Sequence, residues 1–263
     1  MIRSDFHVHS TFCDGKAEPE AIVLKAISLG MAAVGFSSHS WLPGEEDWTL
    51  SKDYGPYRTE ILRLKEKYAG QIDIYCGIEQ DILSPLPDES FDYMIGSVHS
   101  LKTANGRFVV DMTPEDQDEG VERCFGGDIY AAAEAYFEKV GSVIDVTHAD
   151  IIGHFDLFSK YNEGNVRYDP CSRRYFDAGV AAIDRLLKHG VPFEVNTGAI
   201  SRGWRTEAYP DLMFVRYIAE HGGSFVLSSD SHSIDSLCLQ FDKYEALFNA
   251  NGWKLCRFGP KVL

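Results

Sequence analysis

Two histidines one residue apart, His7 and His9, stand near the start of this 263-residue chain, and Cys13, Asp14 and Gly15 follow within the same stretch, "HVHSTFCDG". In an extended strand the side chains at i and i+2 leave the same face, so both imidazoles point one way while Phe6 and Val8 point the other. Neutral imidazole is the commonest protein metal ligand, and a pair on one face can form two arms of a clamp. A lone His-x-His also describes a solvated strand, so the rest of the chain has to decide. Further along, His39, Glu79, His99, His154, Asp230 and His232 each close a short apolar run. Six of the nine histidines share this placement. His148, His189 and His221 fall in helical or turn segments and read as structural.

The elements that must carry these residues alternate regularly. Strands are expected at 2–9, 32–39, 72–79, 91–99, 149–156, 191–198 and 223–232, where apolar runs are bounded by turn residues. Helical patterns lie between most of them, at 18–31, 57–70, 128–141, 173–190, 211–223 and 236–252, and most end in glycine. Strands alternating with helices imply an α/β fold with a parallel sheet. Seven such units without a compositional break suit one domain spanning 1–263 and a closed or nearly closed barrel, although an open sheet is compatible with the same pattern. In such barrels functional side chains gather at the C-terminal ends of the strands, where the ligand-type residues sit. The segment 101–128 breaks the rhythm. It is long, acidic and rich in turn residues, and reads as an excursion over the barrel mouth with a short helix.

Composition narrows the function classes. Lys and Arg number 25 against 40 Asp and Glu, a formal charge of −15. Such a chain is unsuited to non-specific nucleic-acid binding and would repel an anionic substrate unless metal ions reversed the local field. The N-terminus has no apolar core of a signal peptide, and no apolar run reaches the length of a membrane span. Six scattered cysteines without a CxxC read as reduced thiols. The expectation is a cytoplasmic protein acting on a small molecule, with no nucleic-acid or membrane partner; no feature specifies an oligomeric state.

Taken in order, "HVHSTFCDG", "SSHS", "GIEQD", "GSVHS", "IIGHFD" and "SSDSH" resemble the motifs of the PHP (polymerase and histidinol phosphatase) superfamily. Within it the chain is most similar to the PHP-type histidinol-phosphate phosphatase family, over essentially its whole length. The resemblance implies a distorted barrel of seven β/α units, TIM-barrel-like, with three divalent metal ions at the C-terminal mouth. It implies His7, His9, Glu79 and Asp230 on the first ion, Glu79 bridging to a second completed by His99 and His154, and Asp14, His39 and His232 on the third. Some members carry histidine where Asp14 stands; an oxygen donor there favours Mn²⁺ or Fe²⁺ somewhat, with Zn²⁺ still open. Cys13 reads as a small loop or core residue.

Two such ions share a water, lower its pKa towards neutrality and clamp phosphoryl oxygens. The expected reaction is phosphomonoester hydrolysis by a bridging hydroxide, with L-histidinol phosphate as substrate. No protein nucleophile is needed, and the chain has neither C-x5-R nor D-x-D-x-T. Asp230 could also pass a proton to the departing alkoxide, beside its role as a ligand. Phosphate recognition should draw on arginine or lysine from the mouth loops, with Arg202, Arg205, Lys160 and Arg167 on offer. The resemblance favours one basic residue from each of two loops, Arg202 first and Lys160 second. Acidic Asp116, Asp118 and Glu119 could attract a substrate amine, and Trp41 or Trp204 could stack on an imidazole, though rim packing explains both tryptophans as well. Rival readings are a PHP phosphoesterase for nucleotides or phosphotyrosine, and an idle binding module. The complete ligand set argues against the last.

Overall fold

A computed structural model describes residues 4–256. In chain order the elements are β1 (Ser4–Asp5), α1 (Pro19–Ser28), β2 (Ala33–Phe36), α2 (Gly55–Lys67), β3 (Asp73–Asp81), β4 (Tyr93–Ser97), β5 (Ser100–Thr103), β6 (Gly106–Val109), α3 (Pro114–Phe125), α4 (Ile129–Val140), α5 (Val143–Thr147), β7 (Ile151–Ile152), α6 (Arg173–Leu186), β8 (Phe193–Asn196), α7 (Gly198–Ser201), α8 (Leu212–Glu220), β9 (Phe225–Ser228) and α9 (Phe241–Asn251). Seven strands form one sheet in the order β1-β2-β3-β4-β7-β8-β9, and every pairing is parallel. The order follows the chain because each crossover carries the next strand to its neighbour's side.

The sheet closes just beyond its first and last strands. The Ser231 amide donates to the His7 carbonyl (3.1 Å), and the His9 amide donates to the Ser231 carbonyl (2.9 Å). Asp5 reinforces this seam: Oδ1 accepts from the Ser229 amide (3.1 Å) and Oδ2 from the Cys238 amide (3.1 Å). The result is a distorted (β/α)7 barrel. Its interior is filled rather than open. The Tyr93 ring stands inside, its hydroxyl donating to the Phe6 carbonyl (2.6 Å). Gly35 and Gly77 make room for it, since a Cβ at either would lie within 2.4 Å of Tyr93.

Helices cover the outside with their apolar faces inward. In α6 the buried residues are Tyr175, Gly179, Ala182, Ile183 and Leu186, the spacing of one helical stripe. They meet Phe137, Phe155, Phe193 and Phe214 in one continuous core, while α1 and α2 pack Ile22, Val23, Ile61 and Leu64 against the β2–β3 side. All of these are almost fully removed from water.

The strands are shorter than the apolar runs suggest. The run 149–156 contributes only Ile151–Ile152 to the ladder, and 223–232 only Phe225–Ser228. Most ligand-type residues therefore lie one to four positions past a strand end, where the backbone is free to turn; Asp230 itself has φ of 50°. Segment 101–128 holds more structure than a loop with a short helix. An antiparallel hairpin pairs β5 with β6, and three-turn α3 follows. That helix begins at Thr113, whose side chain caps the Asp116 amide (3.0 Å), and ends at left-handed Gly126.

Candidate metal centre

The two oxygens of Glu79 organise the barrel mouth. Oε2 lies 3.3 Å from His7 Nε2, 3.5 Å from His9 Nε2 and 2.8 Å from His39 Nδ1. Oε1 faces the other way, 3.3 Å from His99 Nε2 and 2.9 Å from His154 Nε2, and accepts from Ser97 Oγ (2.6 Å). One carboxylate thus addresses two separate sets of imidazoles. β3 is responsible: it runs longest, and it places Glu79 beyond the end of β2 beside His39.

Asp230 and Asp14 extend the arrangement. Oδ1 of Asp230 lies 3.4 Å from both His9 Nε2 and His232 Nδ1. Asp14 Oδ1 is 3.6 Å from His39 Nε2, and its Oδ2 is 3.1 Å from His232 Nε2. Three groups of ligand atoms converge within 4.8 Å: His9, Asp14, His39 and His232; His7, His9 and Asp230; and His39, Glu79 and His99. His9 and His39 belong to two groups each, and His154 joins through its contact with Glu79. All nine residues singled out in the sequence for a metal thus stand at one mouth.

Several of these atoms are buried without a hydrogen-bond partner, notably His7 Nε2, His9 Nε2 and Glu79 Oε2. Buried polar atoms are normally satisfied, so three orphans aimed at a common space fit ligands of a cation. Carboxylates behind the rings fix which nitrogen faces the space. His7 Nδ1 contacts Glu194 Oε1 (2.7 Å), and His99 Nδ1 contacts Asp81 Oδ2 (3.0 Å). Each contact consumes one nitrogen and leaves Nε2 directed at Glu79, as outer carboxylates do for metal-bound histidines. Sequence reading passed over both. Their signal was modest but present: Asp81 lies two residues after Glu79 and shares its face, and Glu194 sits in a strand without another role.

Electrostatics follow from this packing. Burial would raise the Glu79 carboxyl, but the imidazoles of His39, His7 and His99 outweigh it and hold the group well below the ordinary range. Burial would lower His7, yet Glu194, Glu79 and Asp230 hold it well above its usual value. His9 goes the opposite way: burial, aided by His232 and His39, takes it down to about 3, so its ring is neutral at physiological pH. A centre with this donor set and these unpaired atoms can hold divalent cations.

The cleft above the centre has a volume of about 210 Å³, and Arg202 and Lys160 both line it. Arg202 Nη2 donates to Asp230 Oδ2 (2.8 Å), and Nη1 lies 2.8 Å from His232 Nδ1. Lys160 Nζ donates to the carbonyl oxygen of Asp111 (2.6 Å). Other sequence candidates lie elsewhere. Arg205 is drawn away to Asp211 and Ser159, and Arg167 pairs with Asp118. Asp116, Asp118 and Glu119 ride on α3 and do not line the cleft, because α3 turns its acidic face outward; Asp111, just before that helix, does line it. Neither Trp41 nor Trp204 lines it either. The aromatic wall is Trp48, set edge-on to His39 at 4.9 Å and His99 at 5.8 Å between ring centres. Its indole donates to Glu45 Oε2 (2.6 Å), and Glu45 also binds Arg107 of the β5–β6 hairpin. This clasp joins the loop after β2 to the excursion, a tertiary pairing without a sequence signature.

Comparison with known proteins places these features in company. The PHP domain profile matches residues 5–198. A relative from Deinococcus radiodurans, named as a probable histidinol-phosphatase, is 31% identical over 252 residues, covering 90% of this chain and 89% of its own. A crystal structure from Listeria monocytogenes, provisionally named a histidinol phosphatase, superposes with a TM-score of 0.80 at 24% identity, covering 92% of this chain and 99% of that one. The histidinol phosphate phosphatase of Lactococcus lactis, solved with zinc, L-histidinol and phosphate, gives a TM-score of 0.68 at 21% identity, covering 97% and 95%. The two structures share the barrel with this chain.

Proposed function

Because this chain belongs to the PHP domain family, we propose that it is a metal-dependent phosphomonoester hydrolase that converts L-histidinol phosphate to L-histidinol and phosphate. The observation that carries the reading is Glu79, whose two oxygens face two sets of imidazoles with orphaned nitrogens between them. The names of the relatives, and the L-histidinol and phosphate bound by the Lactococcus lactis protein, support the choice of substrate.

Our assignment places three divalent ions, Mn²⁺, Fe²⁺ or Zn²⁺, on the residues at the mouth. His7, His9, Glu79 and Asp230 would hold one, Glu79, His99 and His154 a second, and Asp14, His39 and His232 a third. When bound, such ions supply a hydroxide nucleophile at neutral pH and offset the charge of the phosphoryl group. Glu194 and Asp81 keep the rings of His7 and His99 oriented throughout. Arg202 and Lys160 bind the phosphoryl oxygens, Arg202 through a planar fork suited to two of them. As Arg202 turns to phosphate it releases Asp230 Oδ2, where a proton for the departing alkoxide could be held. With its carboxyl kept low by Arg202 and His7 against burial, Asp230 is a ligand before it is an acid. Trp48 offers a flat wall for the imidazole of the substrate. The whole unit, residues 1–263, acts as one domain in histidine biosynthesis, and its six free cysteines suit the reducing cytoplasm.

Phosphate release from L-histidinol phosphate, phosphotyrosine, a nucleoside monophosphate and p-nitrophenyl phosphate, each with added Mn²⁺ or Zn²⁺ and with chelator, tests the reading. A chelator-sensitive preference for L-histidinol phosphate is expected. Chelator-sensitive turnover of the others alone would keep the metal centre and discard the substrate, and no turnover at all would leave a binding module.

A further inference from the structure

Among the described residues, the carboxylates lining the cleft are Asp14, Glu79, Asp111 and Asp230, and only Asp111 stands outside the converging ligand groups. It sits two residues past β6, and its backbone is anchored: its carbonyl oxygen accepts from Tyr161 Oη (2.6 Å) and from Lys160 Nζ (2.6 Å). Its carboxylate Oδ2 lies 3.3 Å from Lys160 Nζ. Burial would raise this carboxyl, but Lys160, then His99, His154 and Arg202, hold it below the ordinary range. Asp111 thus places a carboxylate beside Lys160 in the cleft that Arg202 also lines, the two cations that would face a bound phosphoryl group.

An unliganded carboxylate is costly in a site built for a phosphate, since like charges at short range repel strongly where water is scarce. Lys160 neutralises it at rest. Once Lys160 turns to the phosphoryl oxygens, Asp111 needs another cation, while Tyr161 still holds its backbone in place. The substrate of the proposed function carries one, an ammonium on the carbon adjacent to the CH2–O–P group. A cation and an anion side by side on the substrate match an anion and a cation side by side on the wall.

Resting on the proposed function, we infer that Asp111 receives the substrate ammonium while Lys160 and Arg202 take the phosphoryl group, so that the cleft selects phosphoesters with a neighbouring amine. Asp111 is thus a specificity residue.

The test compares L-histidinol phosphate with its deamino analogue, 3-(imidazol-4-yl)propyl phosphate, in the metal-loaded protein, using inorganic phosphate as an inhibitor. A hydrogen bond between charged groups predicts that the wild type prefers the amine by about 10- to 100-fold in kcat/KM. Asp111→Asn should lose that preference, mainly through KM on the amine substrate. With the repelling carboxylate gone and Lys160 released, its turnover of the deamino ester and its inhibition by phosphate should hold or strengthen rather than weaken, and Asp111→Glu should recover part of the preference. A wild type without preference overturns the inference and needs no variant, so misfolding of Asp111→Asn cannot shield it. Equal losses on both esters, or weakened phosphate inhibition, would also overturn it and make Asp111 a positioning residue for Lys160. Turnover of other phosphomonoesters with neither imidazole ester touched would refute the substrate reading itself, and this inference with it.

Discussion

Glu79 and the two carboxylates behind the histidines make the sharpest predictions at the scale of single residues. Glu79→Gln replaces one bridging oxygen with an amide donor, so it should abolish turnover and lower bound metal; His9→Ala should do the same, measured as metal content and phosphate release. Normal activity in His9→Ala would end the metal assignment. Glu194→Gln and Asp81→Asn leave every proposed ligand in place and should still cost about 10–100-fold in metal affinity or activity. Arg202→Ala should mainly raise KM, since its planar fork is proposed to bind substrate. Protonation has a definite sign. Glu79 and Asp230 are held below the ordinary carboxylate range, so in the metal-free protein they contribute stability above about pH 4 that is lost as pH falls through their depressed values. His7 is held above its ordinary value, so its contribution is present below about pH 6.5 and lost as pH rises through the elevated value. Urea titrations of metal-free protein across pH 3–9 should show both limbs. Eight of the nine ligand-type residues were legible because they sit at the ends of apolar runs, and Asp14 only through the family resemblance. Trp48 and Asp111 were not, because what distinguishes them is position in the folded cleft.

At the scale of elements, the barrel depends on a narrow seam. Beyond the last ladder pairs, Asp5 accepts amide hydrogens from Ser229 and Cys238 and so ties β1 to the chain after β9. Asp5→Ala would leave those buried amides unpaired at a cost of about 1–3 kcal/mol each. A lower urea midpoint with an unchanged slope should report it. The Glu45 clasp makes a separate prediction. Glu45→Ala frees both Trp48 and Arg107 at the edge of the cleft while touching none of the proposed ligands. KM should rise, with metal content unchanged by elemental analysis. The parallel pairing was readable from the alternation of strand and helix runs, whereas the sequential strand order, which an open sheet would not share, came from the closed structure. Strand ends were not readable, because a ladder stops where neighbouring backbones diverge, and that depends on both partners.

For the molecule as a whole, the charge of −15 and the density of carboxylates at the mouth mean that bound cations should stabilise the fold. Ligand present at about 100 times its dissociation constant adds about 2.7 kcal/mol, or roughly 5–10 °C in Tm for a chain of this size. Chelation should remove that increment in a calorimetric scan, and restored Mn²⁺ or Zn²⁺ should return it. No helix among the described residues is long and apolar enough to cross a membrane, in line with the scattered charge along the sequence.

The sequence by itself determined the class of fold and the ligand-type residues, because hydrophobic period, strand-to-helix alternation and the chemistry of each side chain are local properties. Only the tertiary structure decided how those residues face one another: that Glu79 splits its oxygens between two histidine sets, that Glu194 and Asp81 stand behind the rings, and that Asp111 rather than the acidic turn of α3 enters the cleft. Each of these depends on where a strand stops and which loop crosses it. They are set by contacts between segments far apart in the chain, as His7 and Glu194 are, and no single segment carries that information.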